Sequence, residues 1–240
     1  MRTSTAASFG GAAALVTAAA ATMMVSHVRL RRTLAVTRGQ LGEARFQASH
    51  DALTGLANRR GIDSDLADRM ASGDSWALIL VDLDGFKPVN DMQGHAAGDL
   101  VLVETARRLS TVLDPDTDLV GRWGGDEFVI LADSPTGAIS MMLARDTATV
   151  LREPFTVDGG VRVEVTASVG LVQVFPGDDP RIAQKSADLA LQRAKSAGGD
   201  TVREYGPLEP KPVIDERPRK RSRDCHPHRV QSELGVVIAR

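Results

Sequence analysis

Between residues 50 and 205 the hydrophobic positions switch repeatedly between a strand-like and a helix-like pattern. Ala77-Leu78-Ile79-Leu80-Val81 is an unbroken apolar run, which suits a central strand covered on both faces. Asp91 to Leu113 predicts a helix, with Leu100, Val103 and Leu109 among its apolar positions. Leu119 to Trp123 and Phe128 to Leu131 predict two strands separated by Gly124-Gly125-Asp126-Glu127. A Gly-Gly step between two apolar runs is a hairpin signal, because glycine accepts the positive φ of tight turns. Ala138 to Leu151 predicts another helix, Arg162 to Val169 a strand, Ile182 to Ala197 a helix and Val202 to Tyr205 a last strand. Strands and helices mixed in this order predict an α+β sandwich, one antiparallel sheet with helices packed on it.

The two ends follow other patterns. Thr3 to Ser26 carries no charge and is rich in alanine; Arg29, Arg31, Arg32 and Arg38 follow it, against Arg2 before it. Residues 1–28 therefore read as a membrane anchor, with the arginine side and the rest of the chain in the cytoplasm at the inner (cell) membrane. Alanine also favours soluble helices, which would leave the protein cytoplasmic, and the small residues around Ala18 to Ala21 suit a cleavable signal peptide. Residues 29–48 read as a helical linker: Leu30, Leu34, Thr37, Leu41, Ala44 and Ala48 alternate at spacings of four and three. That stripe suits a pair of helices, and a helix lying alone is the other reading. Residues 207–240 are rich in proline and charge, including Arg219, Lys220, Arg221 and Arg223, and read as a disordered tail. Its basic cluster is either simply solvated or a contact for anionic lipid or nucleic acid. Residues 49–206 are left as the folded domain.

The net charge of −2 gives no global field toward nucleic acid, so no nucleic-acid partner is expected. The single cysteine, Cys225, excludes an internal disulfide framework. Two acidic clusters bring in chemistry. Asp82 and Asp84 end the central strand, and Asp126 and Glu127 stand at the hairpin. Carboxylates are ordinary at turns, but two acidic turns from separate strands of one sheet can jointly hold Mg²⁺, which takes oxygen ligands and leaves places for phosphate oxygens. No Gly-x-x-x-x-Gly-Lys-Ser/Thr loop is present. Gly85-Phe86-Lys87 follows the first acidic pair, and its backbone N–H groups could cradle a phosphate.

Taken in order, these residues resemble the GGDEF family of diguanylate cyclases. Arg122-Trp123-Gly124-Gly125-Asp126-Glu127-Phe128 contains the family's namesake string. Asp51-Ala52-Leu53-Thr54-Gly55-Leu56-Ala57-Asn58-Arg59-Arg60 is similar to its opening segment, and Asp82 to Lys87 with Asn90-Asp91 to its metal and phosphate loop. Gly94-His95 and Gly98-Asp99 match the next motif, Ser168-Val169-Gly170 a late strand, and Ala187 to Leu191 with Ala194-Lys195 the closing helix. The resemblance covers roughly His50 to Tyr205.

It implies a nucleotide-cyclase-like fold with a ferredoxin-like core, and a homodimer in which two GTP molecules condense into cyclic di-GMP. By resemblance Asp82 and Asp126 would be the Mg²⁺ carboxylates, with the Leu83 carbonyl as a further ligand. Asp126 or Glu127 would take the proton of the attacking hydroxyl. Phe86 and Lys87 would belong to the substrate loop, with Lys87 and Lys195 steadying the phosphates. Asn90 and Asp99 would read guanine, whose N1–H and N2–H₂ donors a carboxylate accepts together. Helix capping is the other reading of Asp99, and turn formation that of Asn90. His95, Asp51 and Asn58 read as caps or turn bonds, and Arg59 and Arg60 as partners for carboxylates.

The chain also departs from the family. Gln192 stands where a tyrosine is usual, and Gly199-Asp200 where Arg-Asn is usual, which removes a phosphate contact. Pro115 stands at the arginine place of the product-inhibition motif whose aspartate is Asp118. These departures leave a second expectation, a degenerate module that binds GTP or a partner without turnover.

Overall fold

The computed structural model describes the backbone of residues 6–134, 136–206 and 209–212. In chain order the elements are α1 (Ala6–Ser49), α2 (Arg59–Ser72), β1 (Trp76–Asp84), α3 (Phe86–Gln93), α4 (His95–Thr111), β2 (Leu119–Gly124) and β3 (Glu127–Asp133). They continue with α5 (Gly137–Leu151), β4 (Phe155–Thr156), β5 (Arg162–Val163), β6 (Thr166–Val174), α6 (Pro180–Ser196) and β7 (Val202–Tyr205). Five strands form one sheet in the order β2-β3-β1-β6-β7, with β4 and β5 making a separate ribbon.

β1 is central because both of its faces are apolar. Ala77, Ile79, Val81 and Leu83 point to one side, where they join Phe128, Ile130, Val169 and Leu171 under α3, α4 and α5. Trp76 and Leu78 point to the other, where they join Val129, Leu131, Val172 and Val174 under α2 and α6. The period-two alternation thus builds two cores on one sheet, and the architecture is the expected α+β sandwich.

Three elements differ from the sequence expectation. The helix expected over residues 91–113 is two helices. Gly94, at φ 85°, ends α3 and begins α4, and its N–H bonds back to the Asn90 carbonyl at 2.9 Å. A left-handed residue cannot continue a helix, and only glycine adopts it without cost. The strand expected over 162–169 is also divided. Arg162 and Val163 pair with Phe155 and Thr156, and β6 starts at Thr166 because β1 ends opposite it at Asp84. Finally, the sheet is mixed rather than antiparallel throughout: β7 runs parallel to β6, with α6 as the crossover that parallel neighbours require.

At the N-terminus α1 runs unbroken through the anchor–linker boundary expected near residue 28. Its 44 residues give a length of about 66 Å. Leu30, Leu34 and Leu41 on it are exposed. Among the described residues no helix is long and apolar enough to cross a membrane, so the anchor expectation is without support there.

Of the expected tail, residues 209–212 lie against the domain. The Tyr205 hydroxyl donates to the Pro210 carbonyl, Glu209 pairs with Arg193 at 2.6 Å, and Lys211 pairs with Asp178 at 3.2 Å. The rest of the expected tail, residues 207–208 and 213–240, lies outside the described residues.

Asn58 joins α1 to the domain. Its side-chain oxygen accepts from the Arg60 and Gly61 N–H groups at the start of α2, and its amide donates to the Ala48 and His50 carbonyls at 3.0 Å. Asn58→Ala removes a helix cap and leaves those carbonyls without this donor. Chemical denaturation should show a loss of about 1–2 kcal/mol, the upper range for a cap. An unchanged midpoint would show that the joint is not part of the cooperative unit.

Candidate active site

The hairpin and the central strand bring the two acidic clusters together. In the β1–β3 ladder Asp82 lies directly opposite Glu127. Asp126 is next to Glu127 at the tip of the β2–β3 turn, and its carbonyl accepts the Leu83 N–H at 3.3 Å. Asp82 is only 8% exposed. Burial holds its carboxyl above the usual value, and the nearby Asp126 and Glu127 charges push the same way against the opposing pull of Lys195. Lys195 comes from the last turn of α6, and its ammonium sits 2.6 Å from Asp82 Oδ2.

Asp84 does a different job. Its carboxylate accepts the Ser168 hydroxyl at 2.9 Å and the Asp200 N–H at 2.8 Å, which ties down the turn between α6 and β7. The strand-end pair Asp82 and Asp84 is therefore split between the acidic cluster and a structural anchor.

Among the described residues, no three His, Cys, Asp or Glu side chains form a ready-made metal cage. The donor set nevertheless fits Mg²⁺, which is usually held by one or two carboxylates plus substrate phosphates rather than by an all-protein cage. Asp82 is a carboxylate whose proton affinity is raised first by burial and then by the neighbouring Asp126 and Glu127, so a cation beside it stabilises its charged form.

Beyond β1 the chain turns at Gly85, φ 82°, into α3, whose N-terminus has no side-chain cap. The N–H groups of such an end are donors for an anion. Phe86 is buried and Lys87 is exposed on this first turn. Asn90 lies further along α3, half-buried. A side chain at Gly98 of α4 would overlap Asn90 Oδ1 and come within 3.2 Å of the Phe86 ring, so Gly98 is what lets the two helices close around Asn90. Asp99 is the next residue and is exposed. Gly94, not Asp99, occupies the N-cap of α4, so capping does not account for Asp99. His95 is the first residue of α4, without a metal cluster around it among the described residues.

The N-terminal segment is structural, as its residue types suggest. Asp51 accepts from the Thr54 N–H at 2.9 Å and from its hydroxyl at 2.7 Å. Arg59 lies over the Trp123 ring, 5.0 Å from its centroid, and 4.0 Å from Asp63.

One residue was given no role by the sequence. Arg122 donates to the Gly125 carbonyl at 2.8 and 3.0 Å and pairs with Asp51 at 3.1 Å. It clamps the backbone of the acidic turn to the opening segment. Its position directly before the Gly-Gly turn was the available signal.

Asp118, beside Pro115, is also engaged. One carboxylate oxygen accepts the Asp133 N–H at 2.9 Å, and the other accepts the Asp114 N–H at 3.0 Å.

A mixed sheet ringed by helices, with an acidic hairpin against the end of its central strand, defines a nucleotide-cyclase-like domain. The chain belongs to the GGDEF family: residues 48–201 match the model described as "Diguanylate cyclase, GGDEF domain". An uncharacterized signaling protein of Caulobacter vibrioides is 39% identical over 85% of this chain and 26% of its own length. Diguanylate cyclase TpbB of Pseudomonas aeruginosa is 36% identical over 62% of this chain and 35% of its own length. The chain thus spans about a quarter to a third of the length of these curated relatives. A crystal structure of the coiled coil and GGDEF domain of DgcB from Caulobacter crescentus, in complex with c-di-GMP, is similar at TM-score 0.67 and 26% identity. It covers 74% of this chain and 98% of that one.

The electrostatics predict a pH signature. The folded-state pKa of Asp82 lies above the ordinary 3.8, so ionising it costs more in the folded than in the unfolded chain. Its favourable contribution is present below the unfolded value and is lost as pH rises through the folded one. Asp82→Asn removes that loss. The stability of Asp82→Asn relative to the parent should therefore grow from about pH 3.5 upward and then level off. Denaturation curves collected across this range check it; a pH-independent difference would contradict the crowding of carboxylates.

Proposed function

We propose that this chain is a Mg²⁺-dependent diguanylate cyclase, condensing two GTP molecules into cyclic di-GMP and two pyrophosphates as a homodimer. The observation that carries the reading is the buried Asp82 on β1, set opposite Glu127 with Asp126 alongside. In each half-reaction a 3′-oxygen of one GTP attacks the α-phosphorus of the other, pyrophosphate leaves, and the hydroxyl proton passes to a base.

Asp126 and Glu127 stand at the acidic turn for that proton. Asp82, Asp126 and the Leu83 carbonyl would hold Mg²⁺, which neutralises triphosphate charge and lowers the pKa of a bound hydroxyl. The uncapped start of α3 and Lys87 would hold phosphate oxygens. Asn90 and Asp99 would accept and donate along the guanine edge, with Phe86 and Gly98 shaping the floor beneath Asn90. A reaction performed twice on equivalent parts suits a two-fold dimer. The exposed Leu30, Leu34 and Leu41 on α1 supply a stripe for pairing two copies, as the coiled coil of DgcB supports.

One observation favours a chain that binds without turnover. Gly199 offers no side chain where the family has a phosphate-contacting arginine. Incubating the purified chain with GTP and Mg²⁺ and separating products by chromatography decides between the two. Cyclic di-GMP and pyrophosphate should form, and Asp82→Asn and Asp126→Asn should abolish them while retaining the parent's folded spectrum. GTP bound but never consumed would overturn the cyclase in favour of the binding module.

Base choice and product control give two further outcomes. Asp99→Ala should weaken GTP binding by about 1–3 kcal/mol and narrow the preference over ATP. An unchanged preference would remove Asp99 from guanine recognition. Added cyclic di-GMP should leave the initial rate unaffected at the Pro115–Asp118 turn, because Pro115 has no donor and Asp118 is already held by two backbone N–H groups. Inhibition that disappears in Asp118→Ala would show that the turn does hold product.

A further inference from the structure

We infer that Lys195 is the resident counter-ion of Asp82 in the nucleotide-free protein, and that a divalent cation entering without nucleotide must first displace its ammonium. This rests on the metal reading of Asp82 given above.

The geometry is one-sided. The Lys195 side chain is 45% exposed, whereas that of Asp82 is 11% exposed. The carboxylate is fixed in the sheet, and the lysine reaches it on a flexible four-carbon stem. The backbone that carries the lysine is held. Asp84, on the same face of β1, accepts the Asp200 N–H at 2.8 Å, five residues after Lys195, at the α6–β7 turn. Only the side chain is therefore free to swing.

Neighbouring cations do not share the task. Arg193 is taken by Glu209 at 2.6 Å and lies over the Tyr205 ring at 5.2 Å. Arg122 is taken by Asp51 and the Gly125 carbonyl. At residue 199 the chain has glycine at φ 81°, and a Cβ there would lie 2.9 Å from the Asp84 carboxylate. This left-handed, crowded turn does not accept an arginine without rearranging. Within this end of α6, one ammonium therefore meets two claims, the carboxylate of Asp82 when the site is empty and the triphosphate when it is filled. The exchange makes metal and nucleotide binding mutually supportive: the metal frees the lysine, and the phosphates receive it.

The test is Mn²⁺ binding to the full chain, followed by electron paramagnetic resonance at pH 8 without nucleotide. Lys195→Met should bind Mn²⁺ about tenfold more tightly than the parent, the change expected when an opposite charge leaves a carboxylate. Lys195→Arg, which keeps the charge, should stay close to the parent. With a non-hydrolysable GTP analogue present, the advantage of Lys195→Met should shrink or reverse. Equal or weaker Mn²⁺ binding by Lys195→Met without nucleotide, while parent and analogue together still bind the ion, would overturn this inference and leave the metal reading standing. If the parent binds no Mn²⁺ even with the analogue, the metal reading fails and the inference falls with it. Lys195→Gln provides a second neutral side chain should the Met variant fold poorly.

Discussion

The negative charge gathered around Asp82 is the constraint on which the site depends. Antiparallel pairing puts Asp82 opposite Glu127, and the turn adds Asp126 beside them. A sheet ordinarily avoids like charges facing one another across two strands, because the direct opposition is destabilising. Burial makes the opposition worse, since a carboxylate in a poorly solvated place is costly to ionise. The arrangement persists because a cation sits on it: Lys195 at 2.6 Å. One buried carboxylate with two half-buried ones beside it, balanced by a single half-exposed lysine, is an arrangement that costs stability.

The two cores make that strain tolerable. β1 is clamped between β3 and β6 from Trp76 to Asp82, with Ile79 and Val81 fully buried on one face and Leu78 buried on the other. Buried aliphatic side chains of this size each contribute about 1.5–3 kcal/mol. The strand end bearing Asp82 is held by packing that does not involve the acidic residues themselves. Asp84 extends the same logic to α6: it fixes the turn after the helix, so that Lys195 approaches Asp82 from a defined direction.

Much of this arrangement was legible in the sequence. The unbroken run Ala77 to Val81 is what a strand buried on both faces requires, and the Gly-Gly step marked the hairpin. The helix break at Gly94 was not read, because apolar spacing continues across it and a single glycine does not announce its φ. The parallel partner of β6 was missed for a related reason: four residues, Val202 to Tyr205, carry a strand signal but no orientation. At the site, the acidic positions and the Asn90–Asp99 pair were named by type and motif. The division of labour between Asp82 and Asp84 was not, since alternation places both on one face and only the tertiary position of Ser168 and Asp200 separates them.

Arg122 shows a further limit of reading residues one at a time. Its guanidinium is planar with donors on several edges, so one side chain can bond the Gly125 carbonyl through two nitrogens and still meet Asp51 with a third. Asp51 in turn fixes Thr54, and Asn58 fixes the end of α1. The acidic turn is thus positioned from outside its own hairpin, by a chain of polar contacts that begins where the long helix ends. A lysine at residue 122 would supply charge to Asp51 but could not hold the turn carbonyl with the same planar fork. The position of Asp126 and Glu127 relative to Asp82 is therefore set jointly by strand register and by the junction with α1.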